Sequence, residues 1–395
     1  MKPLFFAPIA CAAFALMTPA CLQATTAKTT PVQIGEHLQL ASEEATLKTH
    51  SDGRHVFVSG MIGDKGPYNI IVDTGAGANV IDKTLAAEMG FAKTGEMEVL
   101  SGGVEPVTSD IVTLPAMRVD GLTIANAEFL TMELAEMSLG QFHGVLGMQL
   151  FKEALLTFDP GQERILVSKG ELAADGPGAL TYDASSGGFE IDIDAAGQKA
   201  SMVFDTGAPS SFTLPLSSSE TLPLQGELIK GADAQLVGGA RSTWTATLDG
   251  DIRLADEIYK NPVITFMDPS APHGTIGNAV LNDLVLKIDQ KNGLLSLRAA
   301  DVATTAVQTI KESGKPRRLG IQLRGMGGGA LTVARVMPGS LGEQAGFLAG
   351  DILVELNGKP AADYDMAALG KLFKSAEILH FVIDRNGEQR DIKIS

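Results

Sequence analysis

The chain contains the same short segment twice, and this internal repeat limits what it can fold into. Residues 69–76 read Asn-Ile-Ile-Val-Asp-Thr-Gly-Ala, and residues 201–208, which lie 132 positions later, read Ser-Met-Val-Phe-Asp-Thr-Gly-Ala. A second pair of segments, residues 143–147 and 273–277, follows in the same order and 130 positions apart. Because both order and spacing are kept, the two halves are predicted to be copies of one folding unit.

The pattern of apolar residues predicts that each unit is mainly β. Residues 55–61, 189–193 and 243–248 alternate between apolar and polar side chains, which is typical of strands, while residues 83–89 favour a short helix. Each second segment is followed by a predicted hairpin, with Pro160-Gly161 as the turn in the first half and Asn292-Gly293 in the second.

The N-terminus predicts a secretory signal peptide at residues 1–24. Lys2 precedes an apolar run and small residues, with a cleavage site after Ala24. The run is shorter than the roughly 20 residues of a membrane-spanning helix, so we expect a soluble periplasmic or secreted protein. Cys11 and Cys21 both lie in this segment, and the cleaved chain would hold no thiol. The alternative is a lipid-anchored periplasmic protein, attached to the membrane through Cys21.

Composition indicates several globular domains and excludes some partners. The 395 residues are 45% hydrophobic, enough for more than one core. The net charge is −16, which argues against nucleic acid or an anionic membrane surface as the main partner. From composition and turn residues we predict an N-terminal extension at 25–45, repeated units at 46–174 and 175–300, a linker at 301–315 and a different domain at 316–395.

The two Asp-Thr-Gly segments predict a pair of cooperating carboxyl groups at Asp73 and Asp205. Hydrolysis of a peptide bond without a covalent intermediate needs one carboxylate to accept a proton from water and one carboxylic acid to polarise the carbonyl. Two carboxyls about 3 Å apart share a proton, which supplies both forms together.

The residues beside the two aspartates fit such a pair. We expect Gly75 and Gly207 to allow the loops to meet, and the hydroxyls of Thr74 and Thr206 to bond across the interface. The alternative is that each Asp-Thr-Gly only closes an ordinary β-turn.

Across residues 46–300 the chain resembles the aspartic peptidases of the pepsin and retropepsin clan. The resemblance rests on the paired Asp-Thr-Gly and second motifs, and it implies two β-barrel lobes in one chain with catalysis by Asp73 and Asp205. It places Gly147 and Gly277 on crossing strands beneath them, and implies protein or peptide substrates and no metal or cofactor. Alanine after each Asp-Thr-Gly matches the retroviral pattern.

The residues that would cover the site follow the family less closely. Residues 94–114 lack the aromatic residue of a pepsin flap, so we assign the flaps to residues 100–104, with Gly102 and Gly103, and to residues 237–240. Plain hairpin turns are the alternative. The resemblance makes His143 and His273 candidate pocket residues, although lone histidines are more often structural. Trp244 is expected in the core or on a sheet surface.

Residues 316–395 resemble a bacterial PDZ domain of the kind attached to periplasmic proteases. The resemblance rests on Pro338-Gly339, Ala345-Gly346-Phe347, Gly350-Asp351 and Asn357-Gly358 in order, with predicted strands at 319–324, 331–336, 352–356, 379–384 and 391–394 and a helix at 366–373. It implies that a peptide or protein C-terminus adds to the sheet edge. The groove residues would be Leu319, Gly320, Ile321, Leu323 and Leu369. The alternative is a domain kept for packing or dimerisation.

Together these features predict a mainly β protein: two pepsin-like or retropepsin-like β-barrel lobes followed by a small α/β PDZ domain. The expected function is aspartic endoproteolysis in the periplasm, with the PDZ domain binding substrate or partner peptides. Two other functions stay open, namely a catalytically inactive pepsin-like scaffold that binds peptide, and an assembly protein centred on the PDZ domain.

Overall fold

The structure of the protein is a computed structural model. It describes residues 31–52, 54–99, 106–138, 140–185, 187–237, 239–254, 257–268, 270, 272–300, 319–324, 331–336, 340–364, 369, 372–373, 379–385 and 387–394. The predicted signal peptide with Cys11 and Cys21, the first flap with Gly102 and Gly103, and the linker lie outside the described residues. Within these ranges the chain is mostly β-strand, which confirms the predicted fold class, and no helix there is long and apolar enough to span a membrane.

The first lobe is built on a β-sheet that closes into a barrel. Residues 32–168 form strands β1 (Val32–Ile34), β2 (Leu38–Leu40), β3 (Glu44–Lys48), β4 (His50–Ser51), β5 (Val56–Ile62), β6 (Lys65–Asp73), β7 (Val80–Asp82), β8 (Lys93–Val99), β9 (Val107–Val119), β10 (Leu122–Met132), β11 (Gly144–Gly147), β12 (Leu155–Asp159) and β13 (Arg164–Ser168). Helices α1 (Lys83–Glu88) and α2 (Leu134–Met137) lie between them. Six strands in the order β10-β7-β11-β6-β5-β9 close the barrel, because β9 pairs back to β10.

The described part of the predicted N-terminal extension packs as part of this first lobe. Strands β1 and β2 pair with each other, and β2 pairs with β10. Ile34, Leu38 and Leu40 are buried in the main core. These strands therefore extend the first sheet.

The second lobe repeats the strand pairing of the first around its Asp-Thr-Gly loop. Residues 179–299 form β14 (Ala179–Thr181), β15 (Glu190–Ala195), β16 (Gln198–Phe204), β17 (Phe212–Pro215), β18 (Leu224–Lys230), β19 (Ala234–Leu236), β20 (Gly239–Leu248), β21 (Asp251–Leu254), β22 (Glu257–Lys260), β23 (Val263–Asp268), β24 (Gly274–Ile276), β25 (Leu284–Asp289), β26 (Leu294–Ala299) and helix α3 (Asn278–Leu281). Strand β16 pairs in parallel with β24 as β6 does with β11, and β17 pairs antiparallel with β24 as β7 does with β11.

A six-stranded antiparallel sheet joins the two lobes. Its order is β14-β26-β25-β12-β13-β3, so each half of the chain contributes three strands. The contact between halves is the β12–β25 pair, in which Leu156 lies opposite Ile288. Both residues are fully buried in a core that is continuous between the lobes, and burial of this apolar surface stabilises the joined lobes.

The C-terminal domain has its own sheet and core. It contains β27 (Ile321–Arg324), β28 (Leu331–Val336), β29 (Ile352–Leu356), β30 (Lys359–Pro360), β31 (Leu379–Arg385), β32 (Glu388–Ile394) and helix α4 (Leu341–Gln344). The sheet order is β27-β28-β29-β31-β32, which leaves one side of β27 unpaired in the described residues. The first strand begins at Ile321 rather than at the predicted residue 319. Of the predicted helix at 366–373, Leu369 and Leu372–Phe373 are described and helical.

Candidate active site

The two Asp-Thr-Gly loops meet at the junction of the lobes and hold each other by reciprocal hydrogen bonds. The Thr74 amide donates to Thr206 Oγ1 at 3.0 Å, and the Thr206 amide donates to Thr74 Oγ1 at 3.0 Å. Each hydroxyl then donates to a strand carbonyl of the other lobe, Thr74 to Phe204 at 2.7 Å and Thr206 to Val72 at 2.6 Å. Both threonines are buried, so these four bonds are shielded from competing water.

Glycine is required after each threonine because the loops approach so closely. A Cβ atom on Gly75 would lie 2.7 Å from Asp205 Cγ, and one on Gly207 would lie 2.7 Å from Asp73 Cγ. Carbon atoms in contact are normally about 3.5–4.0 Å apart. The backbone of each loop is therefore packed directly against the carboxyl group of the other.

The carboxyl groups of Asp73 and Asp205 lie next to each other and interact directly. Asp73 Oδ1 also accepts the Gly75 amide at 2.8 Å. Asp205 Oδ1 accepts two amides, those of Gly207 and Ala208, each at 2.9 Å. Both side chains are half-buried. Amide donors favour the ionised form of a carboxyl group, so the environment favours a negative charge on Asp205 over one on Asp73.

The pair has strongly perturbed acidity. Burial, followed by the charge of Asp205, raises the pKa of Asp73 to about 8. Burial also raises the pKa of Asp205, and the amides of Ala208 and Gly207 oppose that rise. Asp73 is therefore protonated at neutral pH, and two adjacent carboxyls are expected to share such a proton.

The second-motif glycines lie beneath the loops, where side chains would not fit. In parallel register Gly147 is the partner of Asp73, and a Cβ atom on it would lie 2.5 Å from the Ala78 carbonyl oxygen. A Cβ atom on Gly277 would lie 2.7 Å from the Ala208 carbonyl oxygen. A side chain at either glycine would therefore clash with the loop above it, and their role in supporting the site stays a prediction.

The two lobes differ in how polar side chains support these glycines, and the sequence motifs did not indicate this. In the first lobe, Asn79 Oδ1 accepts the Gly147 amide at 3.1 Å. In the second, the buried Asn278 donates from Nδ2 to the Thr206 carbonyl at 2.6 Å, whereas Met148 holds the matching position in the first lobe. A polar residue directly after the second glycine, in an otherwise apolar segment, was the available signal.

Two charged residues near the carboxyl pair, Asp52 and His55, were also not predicted from the sequence. His55 Nδ1 lies 3.5 Å from Asp52 Oδ2, and Asp52 also accepts the amides of Arg54 and His55. Burial opposes ionisation of Asp52, but His55 lowers its pKa below the ordinary value overall. A charge on His55 also favours the ionised form of Asp205 by lowering its pKa. Their spacing of three residues gave no recognisable motif.

The histidines assigned to a pocket lie directly before strands β11 and β24, which lead to the motif glycines. His143 precedes β11, and its amide donates to the Asn69 carbonyl. The centroid of its ring lies 5.3 Å from that of the Tyr68 ring. Burial lowers its pKa, and within the described residues its Nδ1 has no hydrogen-bond partner. His273 precedes β24, with Nδ1 3.4 Å from the Gly274 carbonyl. Their pocket role stays a prediction, and Trp244 packs against the main core.

Paired strands flank both segments that were predicted to be flaps. Strands β8 and β9 pair around the first, whose tip lies outside the described residues. Strands β19 and β20 pair around the second, with Leu236 opposite Gly239. Their role as covers of the site stays a prediction.

The residues assigned to the C-terminal groove are grouped around one core. Leu319, Leu323 and Leu369 are buried in that core, and Ile321 packs against it. Gly320 adopts a φ of +66°, and a Cβ atom there would overlap Ser340. The residue before the edge strand is therefore packed directly against Ser340, the N-cap of α4.

Comparison with known families matches two parts of the chain. Residues 58–150, which span the first Asp-Thr-Gly loop and its second motif, match the aspartyl protease family model, and residues 332–384 match the PDZ domain model. No curated protein matches the chain. The chain is therefore similar to the aspartyl proteases over its first lobe and carries a PDZ domain near its C-terminus.

Proposed function

We propose that the protein is an aspartic endopeptidase whose catalytic groups are Asp73 and Asp205. The observation that carries this proposal is the pair of adjacent carboxyl groups, which two copies of one loop bring together, half-buried, at the lobe junction. A structural turn would need neither the pairing nor the close approach of Gly75 and Gly207 to the opposite carboxyl groups.

The unequal hydrogen bonding of the pair suggests a role for each aspartate. Asp205, which accepts two amides, is the carboxylate that takes a proton from water. The water oxygen attacks the carbonyl carbon, while Asp73 gives its proton to the carbonyl oxygen. These steps form a tetrahedral diol. In the second step the C–N bond breaks, the diol gives a proton to Asp73, and Asp205 gives its proton to the leaving nitrogen. The pair returns to its starting state.

We further propose that the PDZ domain holds substrate or partner peptides at the open edge of β27. An extended peptide can add there as a new strand, and its terminal carboxylate can be received by the amides of the preceding loop. Capture of a client beside the lobes raises its effective concentration at the carboxyl pair.

We propose a periplasmic or secreted location, supported by the signal-peptide pattern of residues 1–24. Attachment to a membrane would follow only if Cys21 carries a lipid. Mass spectrometry of the mature N-terminus distinguishes cleavage after Ala24 from lipidation at Cys21.

Incubation of the purified mature chain with an unfolded protein tests the proposed activity. We expect cleavage into peptides between mildly acidic and neutral pH, and inhibition by a statine-type peptide. Peptide binding without cleavage at any pH from about 3 to 8 would instead favour the inactive scaffold. Binding confined to the PDZ domain would favour the assembly protein.

A further inference from the structure

The face of each sheet that carries the aspartate also carries one residue from the neighbouring strand. Side chains alternate along a strand, so Ile71 and Asp73 share a face of β6, and parallel pairing of Ile71 with Val145 places Val145 on that face. In the second lobe, Val203 shares a face with Asp205 and pairs with Thr275. Val145 and Thr275 are therefore equivalent positions, one strand away from each carboxyl group.

In the first lobe this position belongs to a separate apolar cluster. Val80, Leu130, Leu134 and Val145 are buried together, and partly buried apolar side chains pack around them, namely Ala76, Ala78, Val99, Ile111, Met132 and Phe142. The cluster reaches the loop that carries Asp73, since the amide of its member Ala76 donates to the Asp73 main-chain carbonyl at 3.3 Å. One side of the site thus presents a partly exposed apolar surface.

The second lobe has polar groups where the first has this cluster. Thr275 stands in place of Val145, and Ser210, whose Oγ accepts from Thr213 at 3.1 Å, stands in place of Ala78. Thr213 pairs with Thr275 as Val80 pairs with Val145, so a buried hydroxyl stands in place of Val80. Glu190 pairs with Val203 and so lies on the same face as Thr275. Among the described residues of this lobe, no second apolar cluster of this kind adjoins Asp205.

We infer that the two sides of the site select unlike side chains of the substrate. The first lobe takes a large apolar side chain on one side of the scissile bond, and the second takes a small or polar side chain on the other. Peptides with this arrangement are substrates, while peptides with the reverse order along the chain are poor ones. The inference rests on the proposed peptidase function.

The physical basis is the unequal cost of burying the two kinds of group. An apolar side chain gains free energy on leaving water for the first-lobe surface, whereas the hydroxyl of Thr275 and the carboxylate of Glu190 lose hydrogen bonds when an apolar group covers them. A single methylene in an apolar pocket changes specificity about 10–200-fold. The difference between an apolar surface in the first lobe and polar groups in the second is therefore sufficient for a strong preference between substrate side chains.

A matched pair of substitutions exchanges the side chains at the two equivalent positions, 145 and 275. A mixture of peptides of about ten residues is digested by the parent chain, Val145→Thr and Thr275→Val, and the cleavage sites are read by mass spectrometry. We expect Val145→Thr to reduce the apolar preference on one side of the bond at least about fivefold, and Thr275→Val to increase apolar acceptance on the other side by a similar factor. Val285→Thr in β25, the same chemical change in the sheet that joins the lobes, should leave both preferences unchanged.

A binding measurement separates this inference from the peptidase proposal. Calorimetry with Asp73→Asn compares one peptide of the preferred order with its reversed partner. If the parent cleaves peptides but has the same side-chain preference on both sides of the scissile bond, the inference is wrong while the peptidase proposal stands. Tighter binding of the preferred peptide without any cleavage by the parent would support the inference and contradict the peptidase. Absence of both binding and cleavage would contradict both.

Discussion

Thr74 and Thr206 each donate an amide hydrogen to the other's hydroxyl oxygen, and both bonds are 3.0 Å long. Each hydroxyl also donates a hydrogen bond to a main-chain carbonyl of the opposite lobe. The lobes are thereby connected at the point where the two carboxyl groups meet. The bonds fix the separation of the aspartates as well as joining the halves.

Replacement of Thr206 by valine should destabilise the two lobes. The change removes one acceptor and one donor from a buried network and leaves the Thr74 amide and Val72 carbonyl without these partners. We expect the free energy of unfolding to fall by about 1–3 kcal/mol in urea titration. Thr206→Ser keeps the hydroxyl and should lose much less, and equal losses in the two variants would contradict the role assigned to the bonds.

Replacement of Gly207 by alanine should displace the carboxyl group of Asp73. The new Cβ atom would lie 2.7 Å from Asp73 Cγ, so one loop must move. We expect cleavage of unfolded protein to fall at least about 100-fold, because small misplacement of catalytic groups is costly. Gly77→Ala is the matched control, since a Cβ atom there meets nothing within 4 Å. Similar activity in both variants would show that the close approach is unimportant.

The raised pKa of Asp73 predicts a pH-dependent stability that does not require activity. Its ordinary pKa is 3.8, whereas the folded value is about 8. Between these values the folded chain holds a proton that the unfolded chain has released, so the free energy of unfolding falls as pH rises through this window. Asp73→Asn cannot ionise, and it should raise Tm relative to the parent more at pH 8 than at pH 4. An equal difference at both pH values would contradict the assignment.

The same pKa sets the alkaline limit of the proposed activity. Cleavage needs one protonated carboxyl, so the rate should decline as pH rises through about 8. Neither Ala76 nor Ala208 offers a hydroxyl that would favour ionisation, in keeping with activity at mildly acidic to neutral pH. A pH–rate profile confined to strongly acidic conditions would contradict this.

The repeat and its turns were predicted from local sequence, whereas the connections between the halves were not. The hairpin around Asn292-Gly293 and helix α1 lie where their sequence patterns indicated. The pairing of Leu156 with Ile288 joins residues far apart in the chain, and apolar strands alone do not specify their partner. Strands β1 and β2 are also too short to be recognised by periodicity.

The candidate site was predicted where a motif recurs and missed where the two halves differ. Asp73 and Asp205 follow from the duplication. Asn278 and His55 have no counterpart of the same kind in the other lobe, so the comparison of halves could not reveal them. Their contacts depend on the folded arrangement, in which Asn278 reaches the Thr206 carbonyl.

Removal of residues 301–395 should leave the two lobes folded. Within the described residues the lobes and the PDZ domain have separate cores. If the PDZ domain tethers clients, the truncated chain should cleave a short generic peptide at the parent rate but a bound client with a higher KM. A clearly faster truncated chain would instead indicate that the domain covers the site.

A side chain at Gly320 should affect the folding of the C-terminal domain as well as the PDZ groove. A side chain there would overlap Ser340, and the φ of +66° is strained for other residues. We expect Gly320→Val to lower the stability of the domain as well as its peptide binding, seen as a lower Tm for the C-terminal domain. A variant with unchanged Tm and lost binding would contradict this packing role.

The central claim is that Asp73 and Asp205 act as one catalytic pair, and cleavage by single asparagine variants tests it most directly. The rate of digestion of an unfolded protein is measured for the parent, Asp73→Asn, Asp205→Asn and Asp64→Asn, which alters an exposed carboxylate in the turn between β5 and β6. We predict that both pair variants lose at least about 1000-fold, because one carboxyl cannot serve as acid and base together, while Asp64→Asn keeps the parent rate. Activity comparable with the parent in either pair variant would contradict the account.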